Sequence, residues 1–177
     1  RWLASETVFD ALNADMRMIG WYAPCPFPGR IDTLEEDAET RITRDPYGGV
    51  TRTWKNKSGT PEHIRWECNS PETWQKQFRP KLVEQDIMIH LDNTRKNLES
   101  GRRKDRWCFL ATLESFEVLR RLIGDEECMM SIVEEPEWIA DISRVCTDNF
   151  LRNARALVDG GLVFDGLWVY GDMAFNH

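Results

Sequence analysis

The stretch that decides the fold is Leu-Val-Phe-Asp-Gly-Leu-Trp-Val-Tyr-Gly-Asp, residues 162–172. It is a short apolar run closed by Gly171 and Asp172, and a long helical pattern leads into it. A run this apolar predicts a strand covered on both faces, as in a parallel sheet. In such sheets and barrels, ligands sit beyond the carboxyl ends of the strands. Asp172 stands at that end, so the stretch marks a place for a site.

Upstream, Glu135-Pro136-Glu137 starts the longest helix. Its stripe of Ile139, Ile142, Val145, Cys146, Phe150, Ala154 and Leu157 has helical spacing, and Asp159-Gly160-Gly161 stops it. Helical patterns also cover 116–123, ended by Gly124, and 126–133. Trp107–Ala111 is a compact apolar run that predicts a buried strand, with 112–115 as its carboxyl-end loop. Strand, helices and strand make a βαβ unit with parallel strands.

The first half adds an antiparallel excursion. A helix at 6–12 and a strand at 16–21 precede three prolines within 23–29, which exclude regular structure there. Strand-like runs at 39–44 and 50–55 flank the turn Asp45-Pro46-Tyr47-Gly48-Gly49, and 63–67 suits a third strand. Ser70-Pro71-Glu72 starts a helix that runs to Phe78. Arg79-Pro80 then breaks the pattern, and a second helix is expected over 81–99 with Gly101 as its cap.

The class is therefore α/β. A closed (β/α)8 barrel takes roughly 250 residues, so 177 residues suit about half of a TIM barrel with an inserted antiparallel hairpin. The expected organisation is one partial barrel domain over 1–177, with the loop and hairpin excursion at 22–67. The chain begins without Met, which suits a processed chain or a fragment.

Charge narrows the partners. The net charge is −7, from 23 basic and 30 acidic side chains. That argues against a general nucleic-acid binder, which needs a basic face. The cluster Arg102-Arg103-Lys104 with Arg106 reads as a solvated loop. The five cysteines are odd in number and contain no C-x-x-C pair, so neither a disulfide framework nor a zinc knuckle is indicated. Cys108 and Cys146 sit in apolar patterns and read as buried thiols. No run is long enough to span a membrane and no signal peptide is visible, so a reducing cytoplasm is expected.

Several blocks together resemble the uroporphyrinogen decarboxylase family. They are Trp-Cys-Phe-Leu-Ala-Thr-Leu-Glu-Ser-Phe-Glu-Val-Leu-Arg-Arg-Leu-Ile-Gly (107–124), Glu-Glu-Pro-Glu-Trp-Ile (134–139) and Asp-Gly-Leu-Trp-Val-Tyr-Gly-Asp-Met-Ala-Phe (165–175). Two earlier blocks, 11–20 and 45–50, resemble its divergent branch, in which a hairpin follows the second barrel strand. The resemblance implies a TIM barrel, with this chain carrying roughly its second to fourth strands. It implies cofactor-free decarboxylation of uroporphyrinogen's acetate side chains. The alternative is methyl transfer by corrinoid-linked relatives that use zinc to activate a thiol. The decarboxylase's key aspartate would align near Ala4, its tyrosine near Arg120 and its serine near Asp172. Its amino-terminal arginine motif is absent, and its later histidine would lie beyond residue 177. The methyltransferase's zinc ligands, a His-x-Cys and a distant Cys, would also lie beyond residue 177.

Asp172 and Glu114 are the candidate catalytic pair. A carboxylate at a strand's carboxyl end can orient a pyrrole N–H or act as a base. The plainer alternatives are a turn aspartate for Asp172 and a helix-start acid for Glu114. The candidate substrate-binding set is Thr112, Tyr170, Met173, Arg120 and His177. Thr112 leaves the third barrel strand at the site end. Tyr170 shares a strand face with Trp168, as barrel filling or as a stacking platform. Met173 also reads as packing. Arg120 suits bidentate contact with an acidic substrate, and His177 suits proton transfer or metal ligation. No metal ligand is assigned within the chain. The partners expected are a small-molecule substrate, with a tetrapyrrole or a corrinoid protein as candidates. Half a barrel also exposes strand edges, so self-association is expected, and a non-catalytic binding or assembly module remains a third reading. The proline-rich loop 23–29 reads as a packed Ω-type loop or a lid over the barrel mouth.

Overall fold

A computed structural model describes residues 8–171. The protein is mixed α/β, with a three-stranded parallel sheet and a separate four-stranded antiparallel sheet. The chain divides into two compact units. One comprises the residues up to Ala23, Asp86–Glu114 and those from Phe150 onward. The other comprises Pro24–Gln85 and Ser115–Asn149.

The first unit holds the parallel sheet. A short helix α1 (Val8–Ala11) precedes strand β1 (Met16–Trp21). The second and third strands of this sheet are Trp107–Leu113 and Gly166–Tyr170, and the three lie side by side in chain order. Both pairings are parallel. Cys108, Leu110 and Thr112 point to one face by alternation. That face is covered by a helix over Leu91–Arg102 and by the end of a helix over Pro136–Asp159. Leu110, Leu157, Leu162, Tyr22 and Ile89 form its core.

The helix over Leu91–Arg102 docks through small and polar residues, with Leu98 packed against the core. Asn97 Nδ2 donates to the Ile19 carbonyl at 3.0 Å, and its Oδ1 accepts from Arg17 Nη2 at 3.1 Å. Gly101 lies inside this helix and is not its cap. It is needed there because a Cβ would press on Cys108 Sγ and on the Arg17 stem.

The expected long helix over 81–99 is broken. The chain is not helical between Val83 and Leu91. The side chain of Asn153 accepts the N–H groups of Met88 and Ile89, at 2.8 and 3.1 Å, and so stands in for the missing helical carbonyls. The break expected at Arg79-Pro80 does not occur. The helical path runs through a widened turn at Trp74–Phe78 into Arg79–Val83, and this widening of the hydrogen-bond pattern just before Pro80 accommodates the missing N–H.

The decisive run 162–172 is also a correction. Among the described residues of the run only Gly166–Tyr170 is strand, and it is not covered on both faces. Leu167, Trp168, Val169 and Tyr170 are 48, 49, 55 and 45% exposed, so side chains on both faces meet solvent.

The second unit is built on β2 (Asp32–Glu36), β3 (Thr40–Arg44), β4 (Gly49–Trp54) and β5 (Glu62–Trp66). They pair antiparallel in chain order, so the excursion is a four-stranded sheet rather than a hairpin. The extra strand, Asp-Thr-Leu-Glu-Glu, has no apolar alternation to announce it; pairing with β3 makes it a strand. Asp45 Oδ1 accepts the N–H groups of Tyr47 and Gly49 and so closes the β3–β4 turn, where Gly48 has φ +88°. With α1 and β1–β5 in place, the later elements are α2 (Pro71–Thr73), α3 (Arg79–Val83), α4 (Leu91–Arg102), β6 (Trp107–Leu113), α5 (Ser115–Ile123), α6 (Asp125–Glu134), α7 (Pro136–Asp159) and β7 (Gly166–Tyr170). Among the described residues, no helix is long and apolar enough to cross a membrane.

Candidate functional site

The carboxyl ends of β6 and β7 bring Glu114 and Tyr170 together. Glu114 N–H donates to the Tyr170 carbonyl at 2.8 Å. The Glu114 side chain lies against Gly171, where any Cβ would collide with its Cγ. A glycine at 171 therefore lets this carboxylate sit over the strand end. Thr112 is buried and faces the helix-covered layer, and its hydroxyl donates to the Leu113 carbonyl at 3.3 Å. Asp172, Met173 and His177 lie outside the described residues.

The opposite face of this sheet is aromatic. Trp107, Phe109 and Ala111 of β6 share it with Trp168 and Tyr170 of β7, and Met18 and Trp21 of β1 lie in register with Phe109 and Ala111. Phe109 is shielded by Phe9, Trp107 and Trp168, with ring centroids at 5.9, 5.5 and 5.7 Å. Trp21, Trp107, Trp168 and Tyr170 are about half exposed, at 50, 43, 49 and 45%.

The amino ends of the same strands carry a charge cluster in which Arg102, Arg103 and Lys104 are exposed, as the solvated-loop reading expects, and only Arg106 departs from it by being buried. Asp10 accepts Arg17 at 2.6 Å, Arg106 at 2.6 Å and Lys104 at 2.8 Å, and Arg17 and Arg106 are buried. Arg102 grips Asp165 with both Nη atoms at 2.8 Å. Asp165 also accepts the Cys108 N–H at 2.6 Å. Arg102 and that N–H hold the Asp165 carboxyl below the usual carboxylate range. Apart from Arg17 and Asp10, which are 7 residues apart, these partners are separated by 57 to 96 residues, and that separation kept them out of reach of the sequence pattern.

Arg120 belongs to the second unit and is engaged. Its Nε donates to Asp125 at 2.5 Å and its Nη1 to Glu117 at 2.9 Å. The hydrogen bond with Asp125 pushes the guanidinium pKa up and holds the Asp125 carboxyl down. A hollow of about 260 Å³ beside it is lined by His63, Trp66 and Arg121 as well. The His63 ring stacks on Trp66 with centroids 5.1 Å apart.

Among the described residues, no group of three or more His, Cys, Asp or Glu side chains could hold a metal ion. No family model, curated protein or solved structure matches the chain.

Proposed function

We propose that the chain is part of a (β/α)8 barrel of the uroporphyrinogen decarboxylase superfamily, with decarboxylase-like carboxy-lyase chemistry on a tetrapyrrole-related substrate. One observation carries this reading. β1, β6 and β7 are parallel neighbours in chain order, with helices on one face and an aromatic face on the other. Barrels stack their strands in this sequential order and fill the inward face with side chains. Glu114 sits at the carboxyl edge, where barrel enzymes keep their chemistry. In this reading Asp172 orients a pyrrole N–H and Glu114 handles the proton that replaces the departing carboxyl group.

A second reading is zinc-using methyl transfer with a corrinoid partner. It is favoured by Arg120, near which the resemblance would place the decarboxylase tyrosine and which is held by Glu117 and Asp125. Its zinc ligands would lie outside these 177 residues. A third reading, a non-catalytic assembly module, is favoured by the exposed rings and by β7, beside which no further described strand pairs.

The test uses the protein encoded by the complete reading frame. Metal-free formation of coproporphyrinogen from uroporphyrinogen supports the first reading, and Glu114→Gln should then lower kcat by about 100-fold or more. Zinc-dependent methyl transfer from a methylcorrinoid to a thiol supports the second. Neither product, with a stable assembly in sedimentation, supports the third.

A further inference from the structure

The second unit contains a cleft of about 640 Å³ whose lining is strongly cationic. Arg30, Arg44, Arg65, Lys76 and Lys81 reach it, against a single acid, Glu67. This concentration stands out in a chain of net charge −7. The cations converge from the segment before β2, from β3 and β5, and from the helical stretch that ends in α3.

Most of these charges are already balanced. Arg44 binds Asp32 at 2.6 Å and Glu67 at 2.6 Å. Arg30 shares Asp32 at 2.7 Å and also lies over the Phe27 ring, 5.0 Å from its centroid. Lys76 pairs with Glu72 at 2.5 Å. Three carboxylates thus serve three cations. Arg65 and Lys81 form no ion pair among the described residues, and both are exposed. Phe27 and Phe78 meet edge to face at 5.3 Å and give the cleft an ordered base.

We propose that this cleft binds a small multivalent oxyanion, a molecule carrying two or more carboxylate or phosphate groups, with Arg65 and Lys81 as its principal ligands. Guanidinium presents a fork to either group, and ammonium supplies a point charge. Arg44 is fixed by Asp32 and Glu67, so it contributes field at no further ordering cost. Nucleic acid is a poorer fit, because the excess of positive charge is confined to one cleft on an acidic chain. The proposal does not depend on the barrel reading, since every residue in it belongs to the antiparallel sheet and its adjoining helices.

The experiment is calorimetric titration of the full chain at low ionic strength with pyrophosphate and, separately, with citrate. One-to-one binding that weakens as salt is added is expected for at least one probe. The double substitution Arg65→Gln/Lys81→Gln should weaken it tenfold or more, while Lys96→Gln, an exposed cation on α4, should leave it unchanged. Binding of pyrophosphate alone assigns a phosphate-bearing ligand, and binding of citrate alone assigns a polycarboxylate. The proposal is overturned if neither probe binds, or if Lys96→Gln weakens binding as much as the double substitution does.

Discussion

Asp141 shows how one side chain can organise a buried region. Its Oδ2 accepts Trp74 Nε1 at 2.8 Å, Arg79 Nε at 3.0 Å and Gln75 Nε2 at 3.2 Å, and its Oδ1 accepts Arg144 at 2.6 Å. Burial alone would raise this carboxyl, but the hydrogen bonds from Trp74, Arg144 and Arg79 outweigh it and hold the pKa at about 2. The folded value lies below the ordinary 3.8, so the ionised form favours folding. That contribution is complete above about pH 4 and is lost as the pH falls towards 2. Asp141→Ala would leave the buried Trp74 indole N–H unpaired and should cost about 2–4 kcal/mol. Urea unfolding between pH 2 and 7 checks both points: the variant should be weaker at neutral pH, and its deficit should shrink in acid. The thiols behave as their burial dictates. Burial pushes Cys68 and Cys146 up to about 12 and the half-buried Cys25 up to about 11, so none is poised as a nucleophile at neutral pH.

At the scale of elements, polar side chains decide where helices stop. Asn153 on α7 takes the place of a helical carbonyl for Met88 and Ile89 and so separates α3 from α4. Asn153→Ala removes the one oxygen that accepts both N–H groups and should destabilise the first unit by about 1–3 kcal/mol. Hydrogen exchange at the Met88 and Ile89 amides should accelerate more than exchange within β6. Unchanged exchange there would show that the break between α3 and α4 does not depend on Asn153. The same lesson holds for α4, which approaches β1 and β6 closely because position 101 is glycine. The sequence pattern predicts a helix over 81–99 capped by that glycine. Beside Leu98, the docking face is Thr94, Asn97 and Gly101, which a hydrophobic period does not detect.

At the scale of the whole molecule, the open aromatic face and the exposed β7 are the features with consequences for association. Exposed strands and large apolar patches recruit further strands or partner surfaces. Concentration-dependent sedimentation is therefore expected, and Val169→Lys on β7 should shift the protein towards monomer by placing a charge on the exposed strand. A monomer at all concentrations, unaffected by that substitution, would count against the assembly reading. The charge is distributed unevenly as well: a net charge of −7 overall coexists with the cationic cleft of the second unit.

The sequence by itself determined the local elements whose signals lie within a few residues. β1 at 16–21, the Asp45–Gly49 turn, the helix start at Ser70-Pro71 and α7 at 136–159 follow from apolar period, proline, glycine and caps. It also marked Glu114 and Tyr170, which the structure brings to one strand end. Only the tertiary structure decided what depends on distant partners. β2 is polar and exists by pairing with β3. Arg106 is buried because Asp10, 96 residues away, accepts it. β7 is apolar yet exposed, because composition records what a residue prefers and not whether the fold supplies a neighbour to cover it.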